Sequence, residues 1–254
     1  MKKPLSIIFI LLLGASCGTV QSPGPAGVSP LKSLFELCES DLEKAKKVII
    51  ERDLVKMLTH LQLMDNGGDK YYLLERDSIT SMIKAVTAGV YSDFILINKE
   101  GTVVYTMENN GIFAKNVRTS LGRTALRSCY VNRDIKPFIA SVASAPFYWD
   151  GYYIAISSEV NAPGTLAGTF ILLIDMEKVQ KLVGEKSVIV GSTGTYEVAG
   201  DRNKIHTAYV DFDRIDLSSP CSDLAVRRFS RSTGGSAAYR LFNYSNLRWI
   251  IITE

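Results

Sequence analysis

Five of the six residues from Tyr148 to Tyr153, read Tyr-Trp-Asp-Gly-Tyr-Tyr, are aromatic or acidic. Such a run can build one wall of a small-ligand pocket, with ring faces for packing and a few polar tips to orient the guest. It can equally be a hairpin tip that lays its rings on a neighbouring loop. Groups able to do catalysis are scarcer. His60 sits among apolar positions of a helical pattern, as a packed side chain does, and His206 lies in a polar segment where water holds it. No Gly-x-Ser-x-Gly elbow, P-loop or His-Glu-x-x-His occurs. The four cysteines, at positions 17, 38, 129 and 221, have no zinc-type spacing. Asp65-Asn66-Gly67-Gly68-Asp69 has the look of a calcium loop but lacks the bidentate Glu at the twelfth position, so it reads as a plain loop. The expectation is a protein that is not an enzyme and uses neither metal nor cofactor.

The 29 basic and 26 acidic residues nearly cancel, with no long run of one sign, which argues against a nucleic-acid partner. The N-terminus reads as an address. Met1-Lys2-Lys3 is a basic start, and Leu5 to Leu13 is an apolar stretch of secretory-signal length, too short to span a bilayer comfortably. Gly14-Ala15-Ser16 before Cys17 resembles a bacterial lipobox, although its leucine, Leu13, stands one step further from the cysteine than usual. That resemblance implies a signal peptide over residues 1–16 and a lipid on Cys17. Residues 17–30, rich in Pro, Gly and Ser, then form a flexible tether. Cys38, Cys129 and Cys221 allow at most one disulfide and read as buried, unpaired small hydrophobes.

Positioning elements follow in order. From Leu31 to about Met64, apolar residues recur at helical steps, with a break available near Arg52-Asp53. Asp77-Ser78 can cap a second helix over 79–88, which Gly89 ends. Phe94 to Ile97, the turn Asn98-Lys99-Glu100-Gly101, and Thr102 to Tyr105 make a hairpin that needs a larger sheet to cover it. Residues 119–143 are mixed helix and loop. Two strands, 152–160 and 166–174, then precede a short helix over 176–183 capped by Asp175. Residues 31–183 thus read as an α+β lobe with an antiparallel sheet. Residues 184–254 read as a smaller unit of the same kind, with strands at 188–190, 195–198, 237–243 and 247–253.

In that order the motifs resemble the double Cache extracytoplasmic sensor domains, which are PAS-like. The resemblance rests on FILINKEGTVVYT, on YYIAISSEVNAPGTLAGTFILLIDMEKV, on VIVGSTGTYEV and on the terminal LRWIIITE. It covers most of residues 31–254 and implies a long N-terminal helix, a larger membrane-distal ligand-binding lobe and a smaller membrane-proximal lobe. The family's flanking transmembrane helix and cytoplasmic signalling region have no counterpart in this sequence. The chain is therefore expected to be lipid-anchored in the bacterial cell envelope, periplasmic or surface, and to signal only through a transmembrane receptor or transporter.

Family members that bind amino acids carry an Arg-x-Trp-Tyr segment whose Arg and Tyr contact the ligand carboxylate. The matching stretch here is Arg127-Ser128-Cys129-Tyr130, with Cys in place of Trp. A guanidinium fork is a natural carboxylate partner, and can equally serve a structural ion pair. Tyr148, Trp149, Asp150 and Tyr152 fall where the family places its aromatic segment, and Tyr105 can face the same pocket or the core. The acid expected five residues after Gly168 is Leu173 instead. The resemblance implies a small-molecule ligand, an amino acid or another carboxylate. The alternative is an adhesin or envelope factor that keeps the fold without a ligand, and the residues at 129 and 173 speak for it.

Overall fold

The structure, a computed structural model, describes residues 28–65, 69–89, 91–122, 124–143, 151–162, 165–218 and 225–253, with only the backbone given for 141–143, 162 and 165–167. The long helical pattern forms two helices, α1 (Val28–Glu51) and α2 (Leu54–Met64). Between them Asp53 takes a left-handed conformation, φ 49°, so the break falls where the apolar spacing stretches. Leu31, Phe35, Cys38, Leu42, Ala45 and Ile49 make a fully buried stripe along α1.

The next helix differs from expectation. α3 runs Lys70–Lys84, so Asp77 and Ser78 stand in its exposed middle and cap nothing. The Asp65 carboxylate instead accepts the Lys70 N–H at 2.7 Å, and Tyr72 anchors the first turns in the core. The chain leaving α3 is tied back to α1 by the buried Asp41, which accepts the Ala88 N–H and the Tyr91 hydroxyl at 2.7 and 3.0 Å.

The first sheet contains β1 (Asp93–Asn98), β2 (Val103–Thr106), β3 (Phe138–Ala143), β4 (Tyr153–Ala162) and β5 (Thr165–Asp175), in the order β2-β1-β5-β4-β3. All of its pairings are antiparallel. The Asn98–Gly101 turn forms as the sequence predicts, but Asn98 holds it with its side chain, whose Oδ1 accepts the Glu100 and Thr102 N–H groups. Gly101 supplies the positive φ, 89°. β3 arises within the stretch read as mixed helix and loop; its edge position makes few demands on sequence.

Helix α4 (Ala125–Val131) precedes β3, and α5 (Met176–Val183) follows β5 with Asp175 as its N-cap, accepting the Glu177 N–H at 2.8 Å. The second sheet comprises β6 (Ser187–Gly191), β7 (Tyr196–Val198), β8 (Arg227–Ser230), β9 (Ser236–Tyr244) and β10 (Leu247–Thr253). Its order, β7-β6-β10-β9-β8, repeats the permutation of the first sheet. The architecture is α+β, two antiparallel sheets of one topology with helices against them.

One apolar cluster joins α1, α2, α3 and one face of the first sheet to the second sheet, and Phe35 is its hinge pin. Its ring lies 5.9, 5.3 and 5.8 Å from those of Phe242, Tyr244 and Trp249. Among the described residues no helix is long and apolar enough to cross a membrane.

Candidate functional site

Alternation along the central strands divides the first sheet into two faces. Phe94, Leu96, Tyr105, Ile154, Ile156, Phe170 and Leu172 face the long helices. Ile95, Ile97, Val103, Ala155, Ile171 and Leu173 face the other way, beneath α4, where Leu126, Cys129 and Tyr130 cover them. The sequence-predicted residues therefore separate. Arg127 and Tyr130 belong to α4. Tyr105 is fully buried on the helix side, its hydroxyl 2.7 Å from that of Thr80, and burial raises its pKa above the usual phenol value. Of its two possible places, Tyr105 occupies the core.

Tyr152 does not join Arg127 either. It is half-buried against the larger cluster, with its ring 6.4 Å from that of His206. The neighbouring Tyr153 faces the α4 side, in line with Ala155 and Ser157. Strand parity over 153–157 carries that signal: Ala155 lies in the sheet centre, and Tyr153 shares its face while Tyr152 cannot. Tyr148, Trp149 and Asp150 lie outside the described residues, as do Cys17, the signal peptide and the tether.

Tyr130 is buried and heavily engaged. Its hydroxyl donates to the Lys99 carbonyl at 2.7 Å and accepts from Arg118 Nη2 at 2.7 Å. The guanidinium carbons of Arg118 and Arg133 lie over its ring, 5.3 and 4.7 Å from the centroid. These contacts lock α4 onto the β1–β2 turn. Arg127 is different. It is exposed, one guanidinium nitrogen donates to the Gly122 carbonyl at 3.2 Å, and no carboxylate among the described residues pairs with it. Most of its fork remains available to an anion.

Beneath α4 the environment is apolar. Cys129 is fully buried, its thiol pushed up to about 12 by burial, so it is a packing residue with no thiolate character. Cys38 is likewise a free, buried thiol, and Cys221 lies outside the described residues. Leu173 is fully buried in the same cluster as Cys129. Directly across the strand pair from Leu173 stands an acid, Asp93. Its carboxylate is turned to the end of β2, accepting the Met107 and Glu108 N–H groups at 2.8 and 3.2 Å and the Thr106 hydroxyl at 2.9 Å. Burial outweighs these bonds and raises its pKa from 3.8 to about 6. It fastens the hairpin and does not face a guest. The one polar group of this face that finds no hydrogen-bond partner among the described residues is the hydroxyl of Thr169, fully buried opposite Ile97. Tyr153 belongs to the aromatic run visible in the sequence, whereas Thr169 does not stand out there, since a lone Thr in a strand gives no sign of being unsatisfied. No group of three or more His, Cys, Asp or Glu side chains among the described residues could hold a metal ion.

No protein-family model and no curated protein matches the sequence. Solved structures do. An extracellular ligand binding receptor from Desulfohalobium retbaense DSM5692 superposes with a TM-score of 0.58 at 9% identity, over 88% of this chain and 38% of the receptor. This chain thus spans well under half of that protein's length. The ligand binding domain of a Pseudomonas aeruginosa PAO1 amino acid chemoreceptor, in complex with L-Arg, gives a TM-score of 0.48 at 13% identity, over 87% of this chain and 92% of that one. The chain has the fold of the Cache-type, PAS-like extracytoplasmic ligand-binding domains.

Proposed function

We propose that this protein is a lipid-anchored extracytoplasmic sensor that binds a small carboxylate at the first lobe. The observation that carries the reading is the state of Arg127. An exposed guanidinium on α4 that no carboxylate among the described residues pairs with supports a role as the partner of a ligand carboxylate. The fold and the extracellular ligand-binding receptor that shares it support the same reading. We assign Tyr148, Trp149 and Asp150, from the sequence between β3 and β4, to the proposed site together with Tyr153 of β4. Tyr130 supports the site by fixing α4. Lipidation at Cys17 holds the protein at the envelope, and a membrane receptor or transporter carries its signal. The protein works by binding and not by catalysis.

The closing experiment screens the full chain by thermal shift against amino acids, organic acids and purines. A carboxylate that stabilises the wild-type protein and not Arg127→Ala bears the reading out; stabilisation by no compound sinks it. Release from the membrane fraction on Cys17→Ser tests the anchor.

A second reading has its own observation. Cys129 and Leu173, which stand where the amino-acid binders carry a Trp and an acid, are both fully buried in one apolar cluster. That packing suits an envelope or adhesion protein that keeps the fold and has closed its pocket.

A further inference from the structure

A separate concavity of about 220 Å³ lies where α5 meets the chain leaving β7. α5 continues from the last strand of the first sheet, whereas β6 and β7 belong to the second, so the cleft sits at the joint between the lobes. Met176 and Ala199 give it apolar wall, and Gly200 leaves backbone exposed to an approaching group. Its volume lies below the roughly 300–1,000 Å³ of drug-sized pockets, so its occupant is a compact molecule.

The charges around the cleft are of two kinds. Arg202 and Glu177, both lining the cleft, pair with each other. Lys181, on the exposed side of α5, and Glu185, in the turn before β6, form no ion pair or side-chain hydrogen bond among the described residues. One cation and one anion are therefore left uncommitted among the side chains that line one small space. A third group adds a polarity requirement. Gln180 is nine-tenths buried in the cleft wall, and its amide nitrogen donates to the Gly184 and Ser187 carbonyls at 2.9 and 2.7 Å. Those bonds fix the side chain and the O/N assignment, and they leave its carbonyl oxygen a buried acceptor with no partner among the described residues. What suits Lys181 and Glu185 together is a guest that carries one positive and one negative group.

We propose that this cleft is a second ligand site, for a small zwitterion that carries both an ammonium and a carboxylate. The carboxylate meets Lys181, with the remaining N–H groups of Arg202 beside it. The ammonium meets Glu185. A guest held this way ties α5 to the β7 end and stiffens the joint between the two sheets. The proposal does not depend on binding at α4.

The test follows backbone amide NMR shifts of the full chain during titration with glycine, L-alanine and L-serine, with propionate and ethylamine as the two half-molecules. The expected result is saturable shifts at Ala199, Gly200 and the last turn of α5 for at least one amino acid, with each half-molecule at least tenfold weaker. Lys181→Glu and Glu185→Lys, both at exposed positions, should each weaken binding at least tenfold with the remaining spectrum unchanged, while Arg127→Ala leaves it intact. Saturable shifts that appear only around α4 would support the first site and overturn this one. Equal binding of the half-molecules, indifference to both charge reversals, or no saturable shift at the cleft would also overturn it.

Discussion

The side chain of Asn246 brackets the backbone of Ile139, its Oδ1 accepting the Ile139 N–H at 2.8 Å and its Nδ2 donating to the Ile139 carbonyl at 2.7 Å. One carboxamide thus does for β3 what a neighbouring strand would do, on the edge that β4 leaves free. The turn around it reinforces the contact: the Ser245 hydroxyl donates to the Pro137 carbonyl at 2.5 Å, and the Tyr244 hydroxyl donates to Glu39 on α1 at 2.8 Å. The β9–β10 turn therefore fastens the second sheet both to the edge of the first and to the long helix. Because β3 follows directly from α4, this fastening also ties the second sheet to the element that carries Arg127.

Asn246→Ala removes both bonds and leaves the Ile139 N–H and carbonyl without partners. At roughly 1 kcal/mol net per neutral hydrogen bond, the expected loss is about 2 kcal/mol, seen as a lower urea midpoint at unchanged slope. Asn246→Asp keeps the acceptor but, once ionised, has no donor for the Ile139 carbonyl, so it should cost at least about half as much at neutral pH and recover at low pH, where the neutral carboxyl can donate. A slope that falls in Asn246→Ala would mean that the sheets have begun to unfold separately.

Asp93 gives the stability a pH dependence of known sign. Burial raises its folded pKa to about 6 against 3.8 for the free group, so the folded chain holds this proton where the unfolded chain has lost it. Its contribution is fully present below about pH 4 and is lost as pH rises through 6, amounting to on the order of 3 kcal/mol. Asp93→Asn should flatten that part of the stability profile and cost little at pH 7, since its carbonyl can still accept the Met107 and Glu108 N–H groups. Asp93→Ala orphans both and should destabilise at every pH. Urea titrations between pH 4 and 7.5 distinguish the two.

Gly168 is a position where no other residue fits. A Cβ there would fall on the Ile97 carbonyl oxygen of the paired strand β1, well inside van der Waals contact, and backbone cannot swing aside as a side chain can. Gly168→Ala is expected to cost at least about 3 kcal/mol or to abolish soluble expression. Gly200→Ala is the control, since its Cβ would come no nearer than 3.8 Å to the Glu185 carbonyl. Thermal melts of the two variants give the comparison.

What is legible in the sequence alone follows from how much each element depends on its own residues. The β1–β2 hairpin, β4 with β5, and β9 with β10 announce themselves through long apolar runs around turn residues. β3 and β8 do not, because an edge strand needs partners on one side only, and Arg227-Arg228-Phe229-Ser230 has a single buried side chain to show for it. α3 is concealed for a related reason. Its first half buries only Tyr72, while Leu73 and Leu74 are exposed, so the apolar period is absent where the helix begins. Within the site, Arg127 and Tyr130 are neighbours on α4, as the four-residue segment implies, but their division of labour is tertiary. The Lys99 carbonyl and Arg118 claim Tyr130, and neither can be seen from the sequence around it. The choice between Tyr152 and Tyr153 turns on strand register, which two adjacent tyrosines leave undecided until Ala155 fixes the parity.

Arg127 is where the binding reading is most exposed to test. Its side chain is out in solvent with a single bond to the Gly122 carbonyl, so Arg127→Ala should change stability by no more than about 0.5 kcal/mol. A charge-assisted bond to a bound carboxylate is worth roughly 1.5–3 kcal/mol, so the same substitution should weaken a carboxylate ligand about 10- to 100-fold. Arg127→Lys retains the charge but not the planar fork, and should recover only part of the loss. The measurement is the ligand-induced rise in melting temperature, which follows the ratio of free ligand to Kd and vanishes as affinity falls. A ligand that stabilises wild type and both variants equally would remove Arg127 from the site and leave the segment between β3 and β4 as its remaining candidate.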